Sequence, residues 1–315
     1  MNEQLKIFDE KIRAANKIAI MAHKNLDGDA LCSMLALGLM IEINYGKTPM
    51  VIYDGNVPDC LDFVPVRGRA THFSKIPDDA SFDLAVVMDY GNSAHIGGAG
   101  LLTRTQYVVE IDHHRNDNKI GNLCIDDESA AATAEILYRI ATGLGWSFDL
   151  DCANLMATAL MTDTGNFRFV RNGAVLRIMA DLVDRGVNVR RIMDGLNNKP
   201  RKTIVTEARV AATAEFLYHG RLALATISNK EYKNLDGRGE TVLNLLGQIR
   251  GVEYIVLLKQ QKEMQTGVSL RSRHCPVDQI AMQLGGGGHE RAAGAVVADS
   301  LENVRKRVLE LFKGV

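Results

Sequence analysis

No two cysteines stand as a CxxC pair: Cys32, Cys60, Cys124, Cys152 and Cys275 are scattered along the chain. That spacing argues against a zinc ribbon and against a disulfide framework, and a reducing cytoplasm fits it best. Aromatic residues are few, 6% with a single tryptophan, which leaves no stacking ladder for a long single strand. No apolar run reaches the roughly 18 residues of a membrane span. The most apolar early stretch, residues 30–43, is broken by Ser33 and Gly38. The opening MNEQLKIFDEKIRAANK is expected to form a polar amphipathic helix and not a signal peptide. An excess of charge of one sign is missing as well. The net charge is −1, whereas a protein that coats long nucleic acid usually carries a basic face.

What is present is an ordinary globular composition, 46% hydrophobic and 24% charged over 315 residues, enough for two domains. The first half alternates short apolar runs with helical patterns. KIAIMAHK, PMVIYDG, DLAVVMD and YVVEID read as strands, rich in Val and Ile and bounded by Gly, Pro or Asp. Residues 30–45, 129–146 and 151–161 read as helices. Such alternation predicts an α/β fold with a mostly parallel sheet and helices on both faces. Ligands of these sheets bind at the carboxyl ends of the strands. A helical linker is expected over 187–206, between a first domain at 1–186 and a second at 207–315. The second domain should be a smaller α/β unit with a mixed sheet: RLALATIS, YIVLLKQ and TGVSLRSR read as strands, and 241–249, 277–284 and 301–312 as helices. AATAEILY at Ala131 and AATAEFLY at Ala211 differ at one position. Their flanks diverge at once, so this near-repeat reads as coincidence.

The chemistry collects at the ends of the predicted strands and helices. MAHKNLDGDALCS supplies His23, Asp27 and Asp29, with Gly28 between the carboxylates. VVMDYG supplies Asp89, VVEIDHHRN supplies Asp112, His113 and His114, and ALMTDTGNF supplies Asp163. A single Asp after a strand is usually a helix cap or a turn residue. Four segments that each finish in Asp or His are harder to explain that way. In a parallel sheet they converge on one edge, where so many carboxylates repel one another unless cations are present. Oxygen-rich ligands with one or two imidazoles suit manganese, magnesium, iron or cobalt, and the missing thiolate argues against structural zinc. Two such ions about 3.5–4 Å apart would clamp the oxygens of a phosphoryl displacement.

HKNLDGDALCS, VVMDYG, IDHHRN and MTDTGNF, in this order, resemble the four motifs of the DHH phosphoesterase superfamily. GGGGHERAAGA, residues 285–295, resembles the signature of the accessory DHHA1 domain. Overall length resembles the branch of bacterial nano-RNases and phosphoadenosine phosphate phosphatases. The resemblance implies two divalent ions, Mn2+ first, with Mg2+ or Co2+ as substitutes. His23, Asp27 and Asp89 would hold one ion. Asp29, Asp89, His113 and Asp163 would hold the other, with Asp89 bridging. Asp112 would fix an imidazole tautomer, and His114 would face the substrate phosphate, to position it or to protonate the leaving oxygen. A metal-activated water would be the nucleophile.

The glycine run has a mechanical reading of its own. Gly286, Gly287 and Gly288 would expose backbone N–H groups to an anion, with His289 and Arg291 following. Ser269, Arg271 and Arg273 alternate along a strand and so share a face, and guanidinium suits phosphate. Taken alone this is a flexible loop with solvated arginines. Beside a phosphoesterase centre it becomes a phosphate cradle, with the substrate between the two domains. A near-neutral chain with a few arginines suits substrates of about two to five nucleotides, because long strands need many phosphate contacts. The leading expectation is therefore a phosphodiesterase of short oligoribonucleotides, which also removes the 3′-phosphate of phosphoadenosine phosphate. Hydrolysis of a cyclic dinucleotide or its linear product is the alternative. A RecJ-type exonuclease and a non-catalytic nucleotide sensor rank lower. Short RNA or nucleotides are the expected partners, with no membrane; a homodimer stays open.

Overall fold

The computed structural model describes residues 2–24, 26–65, 67–170, 172–235 and 239–313. The chain divides into two compact units, residues 1–198 and 199–315. None of the described helices is long and apolar enough to cross a membrane.

The first unit is built on β1 (Ile18–Met21), β2 (Met50–Tyr53), β3 (Ala70–His72), β4 (Phe82–Met88), β5 (Thr105–Asp112) and β6 (Leu123–Asp126). Their order is β3-β2-β1-β4-β5-β6, and every neighbouring pair is parallel. Strand order reverses between β1 and β4, so the crevice at their carboxyl ends is the place where a doubly wound sheet binds its ligand. One face is buried by α1 (Asn2–Ala14), α2 (Gly28–Tyr45), α3 (Thr133–Leu144) and α4 (Leu150–Asp163), whose core includes Phe8, Leu35, Leu137 and Met156. The opposite face is covered by short 3₁₀ helices and loops around Phe73, Ile76 and Leu101. α2 is apolar nearly all round because it is buried for most of its length. Gly46, at φ 65°, stops it in the left-handed conformation.

The segment read as a linker holds α6 (Val189–Leu196) in the first unit, after α5 (Ala174–Asp184), and the start of α7 (Arg201–Ala212) in the second. The second sheet runs β11-β12-β10-β9-β8-β7, from β7 (Glu215–Leu217), β8 (Leu222–Ile227), β9 (Tyr254–Lys262), β10 (Gln265–Ser272), β11 (Gly287–His289) and β12 (Ala292–Val297). Only the β8–β9 pair is parallel. α7, α8 (Asn229–Asn234) and α9 (Glu240–Gly247) cover one face, while α10 (Asp278–Gln283) and α11 (Leu301–Leu311) cover the other.

The near-repeat takes two different structures. Ala131–Tyr138 leads into and begins α3. Ala211–Tyr218 ends α7 and becomes β7, turned by Tyr218 and His219 at φ 50° and 57°. Local propensity is the same in both; tertiary context decides.

Candidate metal centre

His23 follows β1, and a loop holds it: Lys24 N donates to His95 O at 2.6 Å and Gly97 N to Ala22 O at 2.8 Å. Its Nδ1–H donates to Lys24 O at 2.7 Å, which leaves Nε2 to face Asp27 Oδ2 at 3.6 Å and Asp89 Oδ2 at 3.8 Å. That tautomer is the one a metal-binding imidazole needs. Asp27 is also the N-cap of α2, accepting from Ala30 N at 3.0 Å. The capping reading and the ligand reading thus meet in one residue, since one oxygen caps and the other faces the imidazole. Gly28 is required by space. A Cβ there would lie 2.4–2.8 Å from the Thr162 side chain, so glycine lets α4 close on the start of α2. The same approach brings Asp163, at the end of α4, towards Asp29.

Asp29 is 1% exposed. Its carboxylate accepts from Ser33 Oγ at 2.8 Å, Thr133 N at 2.6 Å and Ala134 N at 3.2 Å. The last two are free N–H groups at the start of α3, where a helix favours negative charge. Asp89 follows β4 and adopts φ 48°, a costly conformation for a residue with a Cβ. Its Oδ1 stands 3.5 Å from His113 Nε2 and accepts from Thr133 Oγ1 at 3.2 Å. Its Oδ2 faces His23. Asp163 Oδ2 is 3.5 Å from the same His113 nitrogen, which is buried without a hydrogen-bond partner.

Asp112 is fully buried and touches neither His113 ring nitrogen by hydrogen bond. It accepts from His114 Nδ1 at 2.8 Å and His114 N at 3.0 Å with one oxygen, and from Gly91 N at 2.8 Å and Tyr90 N at 3.2 Å with the other. The imidazole it orients is therefore that of His114. One carboxylate ties the turn after β4 to the end of β5.

Among the described residues, His23–Asp27–Asp89, Asp89–His113–His114 and Asp29–His113–Asp163 are groups whose ligand atoms lie within 4.8 Å of one another. The donor set fits hard divalent ions: carboxylate oxygens and imidazole nitrogens, no thiolate. Electrostatics fits too. Burial, with Asp89 and Asp163 adding to it, pushes Asp29 well above the carboxylate range, and burial lifts Asp163 to about 6. Burial would lower His113 and His23, but Asp89 and Asp163 hold the first at about 10 and Asp27 holds the second at about 9. His23 in turn draws Asp27 down to about 2 against its burial. Carboxylates gathered this closely bind protons when no stronger cation neutralises them.

Thr133 and Ser33 were not singled out from sequence, yet both are fully buried and donate to the carboxylates of Asp89 and Asp29. The signal for Thr133 lay in AATAEILY, whose helix start supplies the N–H groups. In the second unit, Ser269 and Arg271 lie on β10, and Arg273 follows its end. Arg271 pairs with the Glu240 carboxylate at 3.0 Å, and Arg273 caps α9 through Gly247 O at 2.6 Å and Ile249 O at 3.1 Å. The glycine run forms the β11–β12 hairpin. A Cβ on Gly286 would lie 2.0 Å from Gly294 O, and one on Gly288 2.6 Å from Ala292 O, so close backbone approach fixes both. Gly287 is open, with nothing within 4 Å. Arg291 is exposed in the turn; the His289 side chain lies outside what the structure describes.

Residues 17–161 match the model of the DHH family N-terminal domain, and residues 222–314 that of the DHHA1 domain. The bifunctional oligoribonuclease and PAP phosphatase NrnA of Thermus thermophilus is 30% identical over 99% of this chain and 94% of its own length. Its namesake from Mycoplasma genitalium is 27% identical over 91% of both chains. An exopolyphosphatase-related protein of Bacteroides fragilis shares the fold, at a TM-score of 0.90 and 23% identity, covering 99% of this chain and 97% of that one. With both family models matched and a full-length relative at this identity, the chain belongs to the DHH family of phosphoesterases, hydrolases of the NrnA branch.

Proposed function

We propose that the protein hydrolyses short oligoribonucleotides and the 3′-phosphate of phosphoadenosine phosphate, the two activities named for its relatives, with two divalent ions, manganese first. The observation that carries this reading is the placement of Asp89: one oxygen faces His23 and Asp27, the other His113, and the strained backbone holds it there. One ion would take His23, Asp27 and Asp89, and the other Asp29, Asp89, His113 and Asp163. Bound here, such ions supply Lewis acidity towards a phosphoryl oxygen and lower the pKa of water.

The chain's own residues do the rest. Thr133 and Ser33 fix the carboxylates of Asp89 and Asp29 by donating to them. Asp112 fixes the His114 ring by accepting its Nδ1–H, so that the imidazole can deliver a proton to the leaving oxygen through its other nitrogen. In the second unit, Ser269, Arg271, Arg273, Arg291, His289 and the Gly286–Gly288 backbone are the groups we assign to a substrate phosphate. Arg271 would exchange Glu240 for that phosphate.

The test is a substrate panel with manganese: a diribonucleotide, a long single-stranded RNA, phosphoadenosine phosphate and a cyclic dinucleotide. The expected result is turnover of the diribonucleotide and phosphoadenosine phosphate well ahead of the others. Preference for the cyclic dinucleotide or the long strand would replace this reading.

A further inference from the structure

One face of the second sheet is covered by helices only in part. On the side of α7, α8 and α9 the apolar core takes Ala223, Ala225 and Ile227 from β8, and Ile255 and Leu257 from β9. Register carries the same face across β10 and β12. Leu257 stands beside Ser269 and Ile255 beside Arg271; Ser269 then stands beside Gly294, and Arg271 beside Ala292. β11 extends the face with Gly287, which pairs with Gly294 and has nothing within 4 Å of where a Cβ would be. Val296, beside Gly267 on this face, is 56% exposed. Beyond β9 the face is thus a low, open floor of small residues, with Arg271 standing at one end.

Lys259 stands at the rim of this floor. It follows Leu257 by two residues on β9 and so shares the face, and its register partner is Gly267. A Cβ on Gly267 would lie 3.4 Å from Lys259 Cε and 2.8 Å from Gln261 Nε2. The missing side chain gives the lysine stem a bed on the sheet, where the residue is half-buried. Among the described residues no hydrogen bond or ion pair reaches its ammonium. Two charged groups act on it from further away. Burial lowers its pKa, the Glu240 carboxylate opposes this, and Arg271 adds to the lowering. Glu240 is already taken by Arg271, at 3.0 Å. Two cations therefore share one carboxylate beside an open floor. A half-buried charge without a partner is costly to hold, and an anion relieves the cost.

We propose that Lys259 is a further substrate-binding residue, whose ammonium takes, together with Arg271, a phosphate of a nucleotide lying on the Gly267–Ser269–Gly294 floor. This role rests on the reading that the second unit holds a substrate phosphate. Arginine offers that phosphate a planar fork and lysine a point charge, so the two can serve different oxygens of one group. The small residues between them let the anion approach the sheet closely.

Steady-state kinetics of the manganese-loaded, full-length protein on a diribonucleotide test this. Lys259→Ala should raise KM by about 10–100-fold, the span of a charge-assisted bond, while kcat and manganese content hold. Lys259→Arg should restore most of the affinity, because it keeps the charge. The Glu240→Gln background then separates the two possible partners of the ammonium. With phosphate as the partner, Lys259→Ala costs as much in that background as in the wild type. A cost that vanishes there means that the lysine serves only Glu240, and overturns the proposal. An unchanged KM in Lys259→Ala overturns it too, as does a fall in kcat accompanied by a lowered Tm, which marks a structural role. A wild type that leaves the diribonucleotide intact sinks the substrate reading instead. Equilibrium binding of phosphoadenosine phosphate to wild type and Lys259→Ala then decides the lysine's role: weaker binding by the variant supports it, and equal binding overturns it.

Discussion

Asp112→Asn separates aiming the imidazole from holding the metal. Asp112 accepts four hydrogen bonds, two of them from His114 and two from the turn after β4. An asparagine keeps one accepting oxygen and sets an NH2 group against N–H donors on the other side. If the oxygen stays with Tyr90 and Gly91, His114 Nδ1–H loses its charged partner. A hydrogen bond to a charged acceptor contributes about 1.5–3 kcal/mol, or roughly 10–150-fold in kcat/KM at 1.36 kcal/mol per decade. Metal content should not change, because Asp112 belongs to none of the ligand groups found among the described residues. The bond to Asp112 also raises the His114 pKa, against its burial. A proton donor is active below its pKa, so the alkaline limb of the rate profile should move to lower pH in the variant. The assay is diribonucleotide hydrolysis against pH with manganese in excess, alongside elemental analysis of the purified protein. Loss of metal comparable to that of Asp89→Ala would refute the orienting role, and so would an unmoved alkaline limb with full activity.

Three further outcomes follow from the geometry. Gly28→Ala should destabilise the first unit by about 1–3 kcal/mol through overpacking against Thr162, although alanine is the better helix former; the denaturation midpoint checks this, and Thr162→Ala should restore part of the loss. Arg271→Ala should cost about 10–150-fold in kcat/KM on a diribonucleotide and little on a small chromogenic phosphodiester; equal losses on both would mean that the Arg271–Glu240 pair serves the fold alone. Asp83 accepts from the backbone of Asn16 and Lys17 at 2.7 and 2.9 Å, bonds that lower its pKa. A lowered carboxylate stabilises above its unfolded value and loses that contribution as pH falls through the folded value. The Tm gap between wild type and Asp83→Ala should thus be present at neutral pH and close in acid below the ordinary carboxylate range.

The strands most legible in the sequence were those with continuous Val and Ile runs, β1, β4, β5, β8 and β9, because a buried parallel strand needs apolar residues on both sides. β6 is four residues long, β11 is Gly-Gly-His and β12 opens Ala-Ala-Gly-Ala before its two valines, so each owes its existence more to a neighbouring strand than to propensity. The order of Asp and His motifs named the segments that meet at the carboxyl edge, and side chains from all four stand within reach there. What spacing could not reveal was long-range. Thr133 reaches Asp89 across 44 positions, and Gly28 is fixed by Thr162, on another helix. Asp112 accepts from His114 and not His113, which depends on ring orientation. Arg273 was read as sharing a strand face with Arg271; β10 ends one residue before it, and its guanidinium donates to Gly247 O and Ile249 O at the end of α9, a long-range contact that alternation along a strand does not reveal.

The central claim is that Asp89 bridges two ions. Anomalous diffraction at the manganese edge, from crystals of the manganese-loaded protein, tests it most directly. The account predicts two peaks about 3.5–4 Å apart, one near His23 and Asp27, the other near Asp29, His113 and Asp163, with the Asp89 carboxylate touching both. A single peak, or two peaks of which Asp89 touches only one, would contradict it.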